Sequence, residues 1–195
     1  MRVDDALRQI EAIHEQLDKG EVYRGLQVGG VVVAGFVGLA AAVVQNRCVA
    51  HDQAVLYWVG VALVCGVISG GSALWSLLFR EDAWARRKTL RLVCQFVPSI
   101  FGGVIVTYVF KNADLTGYLP GLWALIFGLG VLGARPYLPR AIGWVALFYL
   151  IAGGMLLLRA GPTAEILGWQ VGGVFGLGLL GSALVLSRNR ERDNG

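Results

Sequence analysis

The sequence predicts an all-α fold: a polytopic membrane helical bundle of six transmembrane helices, both termini cytoplasmic, with a short cytoplasmic amphipathic helix at the N-terminus. Three observations lead there. Only 15% of the 195 residues are charged and 56% are hydrophobic, where a soluble domain carries about 25% charged residues. Six apolar stretches approach the ~20 residues that a helix needs to cross a bilayer core. They run approximately over 26–45, 54–79, 92–110, 117–134, 141–158 and 166–187. The basic residues gather in alternate connections, which is the positive-inside pattern.

The N-terminal element comes first. Val3, Leu7, Ile10, Ile13 and Leu17 recur at spacings of three and four, the mark of an amphipathic helix. Lys19 followed by Gly20 reads as its end, a base in the last turn and then a glycine. The stripe is too short for a coiled coil. It predicts a helix that rests on the membrane or on the protein's own loops, or one that docks a partner or a second copy. Residues 1–25 hold six acids and four bases. A cleaved signal peptide would begin with a short positive region, so cleavage is not expected. Residues 26–187 form the membrane domain, and 188–195 a cytoplasmic tail. The connections between spans are short, so successive helices run antiparallel and leave no room for a second folded domain.

The stretch FREDAWARRKTLRL at 79–92 fixes the orientation. Arg80, Arg86, Arg87, Lys88 and Arg91 stand there between two uncharged spans. With the N-terminus inside, 14 of the 17 basic residues fall on the cytoplasmic side. Only Arg47, Lys111 and Arg159 fall outside. The net charge of +4 is thereby accounted for by topology, and nucleic acid is not expected as a partner. Tyr57, Trp58, Tyr108, Tyr118 and Trp169 are expected near the outer interface. Tyr23, Trp75, Trp84, Tyr137 and Trp144 are expected near the inner one.

Within the spans, small and polar residues recur at helical spacing. Cys65, Ser69, Ser72 and Ser76 form one stripe in the second helix. Gln95, Ser99, Gly103 and Thr107 form another in the third, with Pro98 beside them. Such stripes either join helices, where close approach and a hydroxyl bond stabilise a crossing, or line a polar pathway. Gly30, Ala34, Gly38 and Ala42 make a small-residue ridge on the first helix, and Gly168, Gly172 and Gly176 one on the sixth. Both are expected to pack tightly, within the chain or at a homodimer seam.

Catalytic and metal-binding patterns are weak. Glu11 and His14 make a single ExxH, where a di-iron bundle uses two copies and two further carboxylates. Cys48, His51 and Asp52 share one loop without the ligand spacing of a zinc site. Three cysteines and no CxxC argue against a disulfide framework. No ionisable residue falls at the middle of a span, which argues against a proton-coupled pump. No P-loop is present. The sequence therefore predicts neither an enzyme nor a cofactor.

The segment LRQIEAIHEQLDKGEVYRG at 7–25 and the stretch LPGLWALIFGLGVLGARPYLPR at 119–140 give the chain a layout that resembles uncharacterised bacterial six-span inner-membrane proteins with an amphipathic N-terminal segment. The resemblance runs over most of the chain. It implies a multi-pass protein of the bacterial inner membrane and brings no activity and no site residue. The expected function is regulatory, sensory or scaffolding, through helix contacts and a cytoplasmic docking surface. A facilitator or channel for a small neutral solute is the alternative. Expected partners are the bilayer, a second copy, or a cytoplasmic protein bound through residues 1–23.

The charge asymmetry predicts topology. In a chain with its three native cysteines replaced by serine, single cysteines at positions 47, 111 and 159 should react with an impermeant reagent from outside intact cells. A cysteine at position 88 should react only after lysis. External labelling of position 88 contradicts the assignment.

Overall fold

The computed structural model describes residues 28–79, 83–162 and 164–194. The amphipathic element expected over 1–25 lies outside the described residues. The same holds for Arg80 and for the side chains of Ser72, Ser76, Arg86, Arg87 and Lys88.

Six helices follow one another: α1 Val28–Cys48, α2 Ala54–Phe79, α3 Ala83–Asn112, α4 Leu119–Gly133, α5 Ile142–Arg159 and α6 Val174–Asn194. A π-turn at Trp169–Gly173 leads into α6. No strand occurs among the described residues. Each helix, with the turn that opens it, supplies a segment long and apolar enough to span a bilayer. The bounds follow local chemistry. Pro120 sits at the start of α4, where its missing N–H is not needed. Asp114 adopts a left-handed backbone with φ 56° just after α3, a conformation that Asp tolerates better than most residues.

The six apolar segments match the expected spans closely, and some helices run on beyond them. α3 begins at Ala83 rather than near 92, because Ala, Arg, Lys and Leu favour helix and nothing in 83–92 breaks it. The basic stretch at 79–92 is thus helical from Ala83 onward. α1 runs to Cys48, which brings Gln45 into its last turns. α6 continues to Asn194, through most of the expected tail.

The helices form a ring: α1 packs on α2 and α6, α6 on α5, α5 on α4, and α4 on α3. The α2–α3 contact is the lightest of the ring. We call the end carrying the α1–α2, α3–α4 and α5–α6 connections the upper end. The lower end carries the α2–α3 and α4–α5 connections and the C-terminus.

Glycine decides how closely the ring closes. In lipid, helices gain little from burying apolar surface and associate through van der Waals contact, so small residues gather where backbones meet. At the α1–α6 crossing a Cβ on Gly38 would lie 3.7 Å from the Gly176 Cα. One on Gly176 would lie 3.0 Å from the Gly35 carbonyl oxygen and 2.6 Å from the Leu39 Cγ. The small-residue ridges of the first and sixth helices therefore meet each other within one chain. Gly30 and Ala34, on the same ridge, turn instead toward α2 at Ile68 and Cys65. At the α4–α5 crossing, Gly121 and Gly153 face each other, each Cβ position within 2.9 Å of the other's carbonyl oxygen.

The interior is aromatic. Phe127 contacts Phe96, Tyr149 and Phe175 with ring centroids 6.2, 4.9 and 5.4 Å away, joining α3, α5 and α6 through α4. Tyr149 is wholly buried, and its hydroxyl donates to the Phe175 carbonyl at 3.1 Å. Its ring fills the space that a side chain on Gly178 would need.

This packing predicts opposite outcomes for two Gly→Ala changes. Gly178→Ala drives a methyl into the Tyr149 ring and should destabilise by about 1–3 kcal/mol. Gly154 has nothing within 4 Å of its Cβ position, so Gly154→Ala should gain about 0.5–1 kcal/mol of helix preference. Thermal unfolding in mild detergent ranks the two against the parent chain.

Candidate functional site

The polar groups between the helices were the sequence's candidates for chemistry. The α2 stripe turns toward α1: the Cys65 Sγ lies 3.6 Å from the Ala34 carbonyl oxygen. The Ser69 hydroxyl donates to the Cys65 carbonyl of its own helix at 2.6 Å. The α3 stripe turns toward α4. Ser99 packs over Gly130, and Gln95 lies beside Gly133. The Thr107 hydroxyl donates to the Gly103 carbonyl at 2.7 Å and accepts the Trp123 indole N–H at 2.8 Å. The described members of the two stripes thus serve different crossings and do not face one another across a shared space.

One polar group went unnoticed in the sequence. Gln45, near the upper end of α1, is only 7% exposed. Its amide nitrogen donates to the Ile166 carbonyl at 2.5 Å, and its amide oxygen accepts the Trp58 indole N–H at 2.6 Å. A carbonyl can only accept and an indole N–H can only donate, so both partners fix the same amide orientation. Trp58 is 4% exposed and forms part of the core instead of an interfacial belt. Its aromatic neighbour Tyr57 donates to the Ala41 carbonyl at 2.8 Å. The Gly168 N–H reaches the Asn46 side-chain oxygen at 3.3 Å, and the Leu167 N–H reaches that of Gln170 at 3.1 Å. The Gln45 and Asn46 contacts pin the segment before the π-turn onto the end of α1, and the Trp58 and Tyr57 bonds tie that end to α2. Every buried side-chain polar atom among the described residues is satisfied. The Gln45 cluster therefore reads as a clamp that joins three segments.

A groove of about 690 Å³ lies between α1 and α2 and is lined by Val37, Cys48, Gln53, Tyr57, Gly60 and Val64 among others. No residue of the α3 stripe lines it. Cys48, His51 and Asp52 are all exposed, and no group of three metal-ligating side chains occurs among the described residues. Glu11 and His14 lie outside the described residues. The only signal that could have pointed to Gln45 is a lone amide at the margin of an apolar run.

The two indole bonds should differ in weight. Gln45→Leu strands two buried groups, the Trp58 N–H and the Ile166 carbonyl, and should destabilise by about 1–3 kcal/mol. Thr107→Val strands the Trp123 N–H at a half-buried site and should cost about 0.6–2 kcal/mol. Ser182→Ala removes a hydroxyl that returns to the Gly178 carbonyl of its own helix and should be close to neutral. Unfolding midpoints in detergent test this order.

No protein-family model matches the chain, and neither a curated protein nor a solved structure does.

Proposed function

We propose that the chain is a non-enzymatic regulatory or scaffold protein of a bacterial inner membrane, with both termini in the cytoplasm. It acts through contacts of its membrane helices and through a cytoplasmic docking surface at residues 1–23. The observation that carries this reading is the outer face of α2. Ala62, Gly66 and Gly70 lie four residues apart and are all exposed. Nothing stands within 4 Å of the Cβ positions of Gly66 and Gly70, whereas the glycines of the α1–α6 and α4–α5 crossings meet backbone or side chain. A small-residue face left open in lipid suits the close approach of another transmembrane helix. A facilitator for a small neutral solute is the competing reading, favoured by the groove between α1 and α2.

A photocrosslinking residue at Gly66, introduced in the producing membrane, tests the proposal. Leu158, 89% exposed on α5, provides the lipid-facing control. The proposal expects a discrete polypeptide adduct at position 66 and none at position 158. Equal yields at the two positions, together with solute flux in proteoliposomes that a bulky change at Gly60 abolishes, would overturn it in favour of the facilitator.

A further inference from the structure

We infer that the lower end holds the phosphate of an anionic phospholipid headgroup at Arg135, with Arg140 as the second cation. The inference needs only that the helices lie in a bilayer and stands apart from the scaffold reading.

The two arginines stand on a fixed platform. The α4–α5 connection folds as a 3₁₀ turn, Arg135–Tyr137, between the α4 end and α5. Pro136 and Pro139 restrict its backbone. The Tyr137 and Leu138 N–H groups return to the Ala134 and Arg135 carbonyls at 3.0 and 3.2 Å. Tyr137 and Leu138 pack with Phe96 around the buried Ala134. Arg135 and Arg140 themselves are exposed.

The Arg135 side chain folds back over the first turn of α5. A Cβ on Gly143 would lie 3.4 Å from its Nε and 3.7 Å from its Cζ, so the missing side chain leaves a shelf for the guanidinium. A cation beside the positive end of a helix lacks electrostatic support from that helix. The first-turn N–H groups of Ile142, Gly143 and Trp144 are already taken by the carbonyls of Pro139, Arg140 and Ala141. The arginines, and not the helix end, are therefore the donors available to an anion.

The surrounding charges point the same way. The acids with described side chains are Asp52, Asp114 and Glu165, all at the upper end, where they balance Arg47, Lys111 and Arg159. Arg91, Arg135, Arg140 and Arg188 are exposed at the lower end, and the α4–α5 connection that carries Arg135 and Arg140 contains no acid in its sequence.

Depth then selects the anion. Trp144 is 75% exposed next to Gly143, at the first turn of a membrane-spanning segment that starts at Ile142. An exposed indole at a span margin sits at headgroup level. Arginine's planar fork matches phosphate oxygens in a bidentate way. The anion present at that level in quantity is a lipid phosphate.

The test is native mass spectrometry of the full chain released from mixed vesicles of phosphatidylglycerol and phosphatidylcholine. Retained phosphatidylglycerol should fall roughly fivefold in Arg135→Gln, as expected for one lost base at a charged membrane surface. Gly143→Leu keeps every charge but fills the shelf, and should cause a comparable loss. Arg188→Gln removes an equal charge away from the platform and should retain lipid as the parent does. All three variants are first checked for a monodisperse, cooperatively unfolding state. Because Arg135 is exposed, Arg135→Gln decides the matter even if Gly143→Leu fails to fold. Unchanged retention in Arg135→Gln overturns the site. So does an equal loss in Arg188→Gln, which would mean that net charge alone attracts the lipid. Displacement of phosphatidylglycerol by millimolar inorganic phosphate would overturn the lipid assignment in favour of a soluble anion.

Discussion

The contact of α1 with α6 is the constraint on which the ring depends. The chain's two outermost described helices must meet for the bundle to close, and they meet backbone to backbone. A Cβ on Gly35, Gly172 or Gly176 would come within 3.2 Å of a backbone oxygen of the facing segment, and Gly38 meets the Gly176 backbone at ordinary contact distance. The Gln45 clamp stands at the upper end of α1, where Ile166 approaches that helix. Backbone proximity brings the Ile166 carbonyl within reach of α1, and the amide then fixes the upper end of the seam. Widening the crossing would therefore remove packing and hydrogen bonding together, because both depend on the same separation.

The opposite side of the ring is built differently. α2 and α3 touch lightly, and their polar residues are committed to α1 and α4. Tight crossings occupy α1–α6 and α4–α5, while α2 and α3 carry exposed apolar side chains such as Leu63, Val67, Phe101 and Val104. A bundle that is firm on one side and loose on the other concentrates its conformational freedom at the loose side.

Much of this architecture was legible in the sequence because membrane insertion leaves a coarse and redundant signal. Apolar length marked all six spans, and the spacing of Gly168, Gly172 and Gly176 marked one side of the central crossing. Partner choice was not legible. The ridges of the first and sixth helices carried no information that they would meet each other, since small residues suit any close neighbour. Trp58 looked interfacial because a tryptophan near a span margin usually is. Only Gln45, thirteen residues away in sequence and on another helix, makes its burial favourable. The span expected at 92–110 matches the apolar segment Val93–Asn112, but the helix starts earlier, at Ala83: hydropathy reports where the apolar stretch ends, whereas helix propensity reports where the hydrogen-bond ladder ends.

That last distinction has a mechanical consequence. α3 is one helix of 30 residues, about 45 Å at 1.5 Å per residue, of which the membrane segment takes Val93–Asn112. The remainder projects from the lower end as a lever of the same rod. Because a continuous helix resists bending, tilting the projection tilts the embedded part, and the light α2–α3 contact offers little resistance. Near the middle of the rod, Ser99 packs closely over Gly130 of α4. The one rung missing from the ladder is at Pro98, immediately beside it. The place where the rod lacks a hydrogen bond thus coincides with a close contact to α4, so a tilt of the projecting arm can be absorbed there or passed on to α4.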